Sequence, residues 1–354
     1  MAAETNATDS QAAPGGKPAA GQLRVLFWES TSRCNLSCVH CRRQDVWPTA
    51  GTDEMTTDQA RAMLDDVAAM GQPLVIFSGG EPLMRDDWPK LAAHARAAGL
   101  PIALATNGTL IDADLAGRIA AAGFRRVAVS LDGADAETHD AFRGVAGAFD
   151  AALAGIGHLR SAGQAVQINA TIAAHNVGQV DRLYELAESL RAEALHLFLL
   201  VPVGCGARIA ETHQLSPDEY ERVYEWVCGR SGGALELRPT CAPRYQVVAA
   251  SRGLTASGSR GCLAGVAVAF VSHRGEVFPC GYLPTSCGNV RQQSMGDIWR
   301  RSTVLGSLRD YDKLTGTCAR CEHKSICGGC RARAYAAGGD YLAGDPACAH
   351  KPTT

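Results

Sequence analysis

The sequence has little that would tie it to a membrane or to a nucleic acid. No stretch reaches the roughly 18 apolar residues that a membrane-spanning helix needs. The formal net charge of 354 residues is -2, so the basic excess typical of nucleic-acid-binding proteins is lacking. Hydrophobic residues make up 46% of the chain and charged residues 20%, as in an ordinary globular protein with one large and one smaller domain.

The first 22 residues also lack the features of a secretion signal. They are rich in Ala, Gly, Pro, Gln and Thr, and they contain neither a basic start nor an apolar core. We therefore expect a disordered tail at residues 1–22 and a cytoplasmic protein. In a reducing compartment, the 14 cysteines indicate metal binding or catalysis rather than a disulfide framework.

Three of these cysteines lie within eight residues. Cys34, Cys38 and Cys41 are separated by three and then two residues. Four-iron clusters normally take four cysteines, and a structural zinc site is closed by four ligands. A trio with no fourth cysteine nearby therefore indicates a metal site with one open position that binds another molecule.

Apolar strands alternate with helices between residue 23 and about residue 201. Six strands are predicted, at 23–28, 73–77, 102–105, 126–129, 166–172 and 195–201. Near-continuous apolar strands of this kind predict a parallel sheet with both faces buried under helices. The pattern leaves a doubly wound sheet and a partial or full barrel open. In either fold, the polar motifs after the strands meet at one end of the sheet.

Long apolar runs become scarce from about residue 231, where the chain is rich in Gly, Arg and Cys. Ten of the 14 cysteines lie between Cys228 and Cys348, and metal clusters are expected to hold this segment together. Cys205 and Cys228 have no partner pattern and are expected to be small buried hydrophobes. The expected organisation is a tail at 1–22, an α/β unit at 23–215, a connecting helix and segment at 216–260, and a cysteine-rich domain at 261–354.

The cysteine trio and a second motif together resemble the radical S-adenosylmethionine (SAM) superfamily. Gly79-Gly80-Glu81-Pro82 follows the second predicted strand, as the trio follows the first. The resemblance implies a partial (β/α)6 TIM-like barrel, a 4Fe–4S cluster on the three cysteines, and SAM at its open iron. Incidental or zinc-binding cysteines are the alternative that the trio alone would allow.

The same resemblance implies which residues bind SAM. They are His40, Gly79, Gly80, Glu81, Asn107 and Ser130. In the family, the residue before the third cysteine stands beside the adenine. The two glycines approach the ligand closely and, with the glutamate nearby, bind the methionine ammonium. The two strand-end residues contact the ribose or the methionine carboxylate, and a helix-cap or turn role is their alternative.

The C-terminal cysteines resemble the SPASM extension of radical SAM enzymes, which binds auxiliary 4Fe–4S clusters. The resemblance implies one auxiliary cluster on Cys318, Cys321, Cys327 and Cys348. It allows a second on Cys262, Cys280 and Cys330, whose fourth ligand is Cys241, Cys287 or absent. Two residues separate Cys327 from Cys330 where the common pattern has three, and a zinc ribbon is the alternative for these pairs.

Further strings look like the heme b synthases of the siroheme-dependent heme pathway. They include Arg260-Gly261-Cys262-Leu263-Ala264-Gly265, Pro279-Cys280-Gly281-Tyr282-Leu283 and Cys327-Gly328-Gly329-Cys330-Arg331-Ala332-Arg333. The resemblance covers roughly residues 23–352. It implies that a 5′-deoxyadenosyl radical, made from SAM with an electron from flavodoxin or ferredoxin, takes a hydrogen atom from a propionate of iron-coproporphyrin III. Loss of carbon dioxide and of one electron to an auxiliary cluster leaves a vinyl group, and this happens twice.

A porphyrin with four propionates requires cationic partners, preferably arginine. Arg43 and Arg143 are the candidates, with Arg33 and Arg42 also near the expected barrel mouth. Two other readings stay open: a SPASM-type radical SAM maturase that modifies a ribosomal peptide or protein, and a non-catalytic iron–sulfur or zinc scaffold. Such maturases often carry an N-terminal peptide-binding domain, whereas only 22 residues precede the first predicted strand here.

Overall fold

An open barrel of parallel strands forms the centre of the fold. The computed structural model describes residues 21–42, 52–254 and 260–353. The strands are β1 Val25–Thr31, β2 Leu74–Gly79, β3 Ile102–Thr106, β4 Val127–Ser130, β5 Val166–Ile172, β6 Ala194–Leu199, β7 Glu236–Thr240, β8 Val268–Val271, β9 Glu276–Phe278 and β10 Gly288–Asn289. The expected tail, up to residue 20, and Arg43 lie outside the described residues.

Helices follow most of the barrel strands. They are α1 Thr57–Ala68, α2 Trp88–Ala97, α3 Ala113–Ala122, α4 Ala136–Arg143, α5 Ala148–Ser161, α6 Val180–Ser189, α7 Ala210–His213, α8 Pro217–Gly229, α9 Tyr245–Ser251, α10 Met295–Arg301, α11 Thr303–Arg309, α12 Gly316–Arg320 and α13 Arg331–Gly338. Ser216 and Glu219 form a capping box at the start of α8, with Pro217 at the first position of the helix. None of the helices in the described residues is long and apolar enough to span a membrane.

All ten strands belong to one sheet, in the order β10-β9-β8-β1-β2-β3-β4-β5-β6-β7. The pairs from β8 through β1 to β7 are parallel, and β9 and β10 are added antiparallel. The α/β class with a parallel sheet and the six predicted strands are confirmed. Strands β7 to β10 were not predicted because β7 contains a proline and two charged residues, and the others have only two to four residues.

Strands such as β5 have one buried apolar face and one face that lines the cavity. In β5, Val166, Ile168, Ala170 and Ile172 are buried, while Gln167, Asn169 and Thr171 line an internal cavity. The expectation that both faces are packed is therefore wrong for the inner face. The outer face supplies the core, and the inner face presents side chains to the cavity.

Candidate active site and cysteine clusters

A cavity of ≈ 1060 Å³ occupies the inside of the barrel. Its wall includes Cys34, Cys38 and Cys41, which follow β1, and the inner faces of β2 to β6. It also extends between β7 and β8, where the segments 241–243 and 260–264 line it. The cysteine trio therefore faces a space large enough for a cofactor and a substrate together.

The backbone leading into the trio is fixed by side-chain hydrogen bonds. One carboxylate oxygen of Glu54 accepts the Thr31 hydroxyl and the Ser32 backbone N–H, both at 2.7 Å. The end of β2 holds the same segment, because the Gly80 N–H donates to the Thr31 carbonyl at 2.8 Å and the Glu81 N–H donates to the Arg33 carbonyl at 2.7 Å. These hydrogen bonds form a clamp on the backbone at the end of β1, immediately before the trio.

This clamp explains why two glycines stand side by side. A Cβ atom on Gly79 would lie 2.5 Å from the Thr31 carbonyl oxygen, and one on Gly80 would lie 2.3 Å from the Arg33 carbonyl oxygen. The close approach that requires glycine is therefore made by the chain's own backbone. Both glycines also line the cavity, and their contact with SAM stays a prediction.

Glu81 lies behind the cavity wall. Its buried carboxylate accepts the Thr106 hydroxyl at 2.8 Å, the Asn107 backbone N–H at 2.8 Å and the Leu83 N–H at 3.2 Å. Burial raises the pKa of Glu81 to about 7. These bonds tie the end of β2 to the end of β3, so the structure gives Glu81 a positioning role. A direct SAM contact stays a prediction.

Asn107 connects the end of β3 to the trio loop. Its side-chain amide donates to the Asn35 side-chain oxygen at 2.8 Å, and Asn35 in turn donates to the Thr109 hydroxyl at 2.8 Å. Asn107 and Ser130 both line the cavity at the C-terminal ends of β3 and β4. The trio follows the C-terminal end of β1, so it lies at the same end of the parallel strands. The sequence-predicted SAM residues at these strand ends are thus brought to the same cavity.

His40 and Arg143 form a buried polar group around Asp132. The Arg143 guanidinium lies 2.7 Å from an Asp132 carboxylate oxygen and the His40 imidazole lies 3.4 Å from the same oxygen. Burial lowers the pKa of His40 to about 4, so the ring is neutral. His40 also stacks on Phe142 with 3.9 Å between ring centroids, and it lines the cavity.

Arg143 also contacts the trio directly. One of its nitrogens lies 3.8 Å from the Cys38 sulfur, close enough for a hydrogen bond. Its charge is balanced by Asp132, which is fully buried. This pairing disfavours the predicted role of Arg143 as a substrate ligand and favours a role beside the cluster. Arg42 is likewise paired, with Glu29, and lies over the Phe270 ring at 4.2 Å.

Four cysteines converge at one small pocket in the C-terminal region, and we call them the outer quartet: Cys318, Cys321, Cys327 and Cys348. Backbone N–H groups already point at two of the sulfurs, from His323 to Cys321 and from Gly329 to Cys327, each at 3.4 Å. The Arg331 guanidinium lies 3.4 Å from the Cys318 sulfur. N–H donors of this kind are typical of iron–sulfur cluster ligation.

Four other cysteines line the barrel cavity between β7 and β8, and we call them the cavity quartet: Cys241, Cys262, Cys280 and Cys330. Burial, together with the three neighbouring thiols, holds the pKa of Cys241 well above its usual range. Cys287 is not in this group, because the groups that its thiol faces belong to Ser302 and Arg309. Of the two candidates for a fourth ligand, the structure therefore brings only Cys241 to the other three.

The spacing of these sulfurs suits clusters better than single ions. Zinc–sulfur bonds of about 2.3 Å place tetrahedral sulfurs less than about 4 Å apart. Within the described residues, the only three possible ligand atoms that all lie within 4.8 Å of one another belong to Cys321, Glu322 and His350. Neither the trio nor either quartet is that compact, so the spacing of their sulfurs disfavours a single zinc ion, and three or four thiols around one space are the donor set of an iron–sulfur cluster.

Two cavity arginines were missed by the sequence reasoning. Arg125 and Arg260 line the cavity and form no ion pair with a carboxylate in the part of the chain that the structure describes. The Arg260 guanidinium lies 4.7 Å from the Tyr311 ring centroid, beside the cavity quartet. Arg126 and Arg238 also line the cavity, but both pair with Glu236 at 3.0 Å. Nothing in the local sequence distinguishes the arginines that pair with Glu236 from the arginines that do not, since this ion pairing depends on strand register.

Comparison with protein families gives two matches along the chain. Residues 28–187 match the radical SAM superfamily. Residues 262–322 match SPASM, described as an iron-sulfur cluster-binding domain. The first match contains the trio, and the second contains two members of each quartet.

Similar proteins cover nearly the whole chain. An "AdoMet-dependent heme synthase" of Methanosarcina barkeri is 44% identical over 93% of this chain and 97% of its own length. A protein of the same name from Nitratidesulfovibrio vulgaris is 42% identical over 93% of both. Among solved structures, Streptococcus suis SuiB bound to S-adenosylmethionine has a TM-score of 0.70 at 18% identity, covering 93% of this chain and 78% of that one, and supports the fold.

Proposed function

Because the chain belongs to the radical SAM superfamily, in the family of the AdoMet-dependent heme synthases, we propose that it makes heme b from iron-coproporphyrin III. The chain is an iron–sulfur enzyme that uses SAM. In the proposed reaction, two propionates become vinyl groups. Each conversion removes one hydrogen atom and one electron from the substrate and releases carbon dioxide.

Three cysteine sets would hold the iron–sulfur clusters. Cys34, Cys38 and Cys41 would bind the SAM cluster, with SAM held by His40, Gly79, Gly80, Asn107 and Ser130 and supported by Glu81. The outer quartet and the cavity quartet would each bind one auxiliary 4Fe–4S cluster. When bound, the SAM cluster would supply a radical able to take a hydrogen atom from an unactivated carbon, and an auxiliary cluster would supply an electron acceptor.

The observation that carries the proposal is that one cavity is lined by both the trio and the cavity quartet. A substrate in this cavity would lose a hydrogen atom beside the trio and an electron beside the cavity quartet. Propionate oxidation requires both events on one molecule, so the shared cavity favours an oxidative reaction over a simple hydrogen transfer.

Arg125 and Arg260 are the proposed partners of substrate carboxylates. Both residues line the cavity, and neither forms an ion pair with a carboxylate of the described residues. A propionate that stays intact in the reaction can therefore form a charge-assisted hydrogen bond with either side chain. Arg43 lies outside the described residues, and its role stays a prediction. We further propose a cytoplasmic location and a flavodoxin or ferredoxin as the external electron donor.

The proposal is tested by incubating the anaerobically reconstituted enzyme with SAM, a one-electron reductant and iron-coproporphyrin III. Mass spectrometry is expected to show two successive losses, each of carbon dioxide and two hydrogens, with heme b as the end product and 5′-deoxyadenosine formed alongside. The Cys34→Ser variant is the control and should form neither product.

A wild-type enzyme that forms 5′-deoxyadenosine but leaves the porphyrin mass unchanged would contradict the proposed substrate. It would leave membership of the radical SAM superfamily intact. The same incubation with coproporphyrin III lacking iron separates recognition of the macrocycle from recognition of its metal.

A further inference from the structure

One ion pair is buried between the two quartets. Arg333 is 1% exposed and Asp345 is 7% exposed. Two guanidinium nitrogens of Arg333 donate to the two Asp345 oxygens, at 3.1 Å and 3.2 Å. The arginine also lies over the Tyr220 ring, 4.9 Å from its centroid. This fork geometry fixes the orientation of both charges.

The positive end of the pair points toward the cavity quartet. The third guanidinium contact is a 2.8 Å hydrogen bond from Arg333 to the backbone carbonyl of Cys241. The arginine is also among the charges that act on the thiols of Cys241 and Cys330. Arg333 is thus linked to two ligands of the proposed cavity-side cluster.

The negative end faces both quartets. Asp345 accepts the Cys330 backbone N–H at 2.7 Å, and it lines the pocket that the outer quartet shares. A Cβ atom on Gly329 would lie 3.0 Å from the Asp345 Cβ and 2.9 Å from the Cys318 sulfur, so the side chains of Asp345 and Cys318 both pack closely against Gly329. Asp345 therefore touches the backbone of one quartet and the pocket of the other.

Stability alone is a weak reason for such a pair. The cost of removing two charges from water offsets much of their attraction, and apolar replacements of buried ion pairs are often neutral or stabilising. The pair here is hydrogen-bonded to the backbone of Cys241 and Cys330, and its carboxylate residue lines the pocket of the outer quartet. An electrostatic role toward the metal sites accounts for that position.

We propose that the Arg333–Asp345 pair is a positioning element that sets the reduction potentials of the two auxiliary clusters relative to each other. The inference rests on the cluster set given under the proposed function. The guanidinium next to Cys241 stabilises the added electron of a reduced cavity-side cluster, and so favours electron transfer from the substrate to that cluster. The Asp345 carboxylate opposes reduction of the outer cluster.

The two charges can be removed separately with little change in shape. In Arg333→Gln, the cavity-side cluster loses a positive neighbour and should become harder to reduce. In Asp345→Asn, the side-chain oxygen can still accept the Cys330 N–H, but both clusters lose a negative neighbour and should become easier to reduce. We expect each change to shift the one-electron reduction equilibrium at least tenfold, or ~59 mV.

The measurement is an anaerobic redox titration of the holoenzyme followed by electron paramagnetic resonance of each cluster. Arg333→Lys keeps the charge, so the reduction potential of the cavity-side cluster in this variant should stay close to the wild-type value. Asp297→Asn removes an exposed carboxylate that pairs with Arg300, and it should leave all potentials unchanged. Iron and sulfide analysis of each variant shows whether both clusters are present.

Shifts of opposite sign in Arg333→Gln and Asp345→Asn support the inference. Potentials that do not move, or that move in the same direction, in variants with a full iron content would overturn it, because a purely structural contact has no charge sign. A wild-type protein that loads only one C-terminal cluster overturns the proposed cluster set itself, and the iron count distinguishes that failure from the other.

Discussion

Cys241 has an uncommon backbone conformation for a residue other than glycine. Its φ of 56° is in the left-handed region, which costs free energy and persists only because the surrounding structure imposes it. The imposed geometry turns the thiol toward Cys262, Cys280 and Cys330, immediately after β7 ends at Thr240. Strain held at a cysteine beside three others is consistent with a ligand role.

Serine substitutions compare Cys241 with Cys287, since both are partly buried thiols in the C-terminal half. We expect Cys241→Ser to lower the iron content of the reconstituted enzyme by up to roughly four atoms per chain, the content of one cluster. Cys287→Ser should keep the wild-type iron content. The opposite pattern, measured by iron and sulfide analysis, would remove Cys241 from the cavity quartet.

Glu81 gives a prediction about pH. Burial raises its folded pKa to about 7 from 4.5, so its contribution to stability is present below pH 4.5 and is lost as the pH rises through about 7. Between pH 5.5 and pH 8, the free energy of unfolding of the wild type should fall relative to Glu81→Gln by about 1–2 kcal/mol. Anaerobic urea denaturation of both proteins measures this difference, and a constant gap would show that Glu81 is ionised throughout.

At the scale of elements, the end of β2 acts as a clamp on the trio loop. We expect Gly80→Ala to lower the free energy of unfolding by about 2–3 kcal/mol, because its methyl group would collide with the Arg33 carbonyl oxygen. The shifted backbone should also weaken SAM binding, measured by equilibrium dialysis of the reconstituted enzyme.

The matched control is Gly157→Ala in α5. A Cβ there meets nothing within 4 Å, and the residue is inside a helix, so we expect a gain of about 0.5–1 kcal/mol and unchanged SAM affinity. If Gly80→Ala behaved like Gly157→Ala, the clamp would not position the trio.

Some of the elements could be predicted from the sequence, and others could not. Long apolar strands such as β5, and the capping box of α8, were predictable because their patterns are local. The pairing of β8 with β1 could not be predicted from the sequence. The four residues of β8 are too few to show a periodicity, and the two strands are more than 200 positions apart in the chain. Thr56 caps α1, although the neighbouring Thr57 carries the same hydroxyl, because the reciprocal hydrogen bonds with Gln59 form with Thr56. The pairing of Arg143 with Asp132 was likewise invisible, as it depends on how α4 packs at the barrel mouth.

At the scale of the whole molecule, the two cavity arginines that form no ion pair within the described residues test how the substrate binds. Arg260→Gln should raise the KM for the porphyrin by roughly tenfold with a smaller change in kcat, because one charge-assisted hydrogen bond is worth about 1.5–3 kcal/mol. Arg238→Gln is the matched control, since Arg238 also lines the cavity but is paired with Glu236. Equal effects of the two variants on KM would show that cavity charge in general, rather than Arg260, holds the carboxylate.

The shared cavity also predicts how the two halves of the chemistry depend on each other. The trio lies in the β1–α1 connection and the cavity quartet lies in the C-terminal half, yet the sheet order places β8 next to β1. Hydrogen abstraction should therefore continue when the cavity quartet is damaged, whereas completion of the vinyl group should not.

The most direct test of this account is the ratio of 5′-deoxyadenosine to vinyl groups formed from iron-coproporphyrin III by the wild type and by Cys241→Ser. We predict a ratio near one for the wild type, and a severalfold excess of 5′-deoxyadenosine for the variant, whose substrate radical has lost its electron acceptor. A variant that forms heme b at the wild-type ratio would contradict the claim that the trio and the cavity quartet act on one substrate in one cavity.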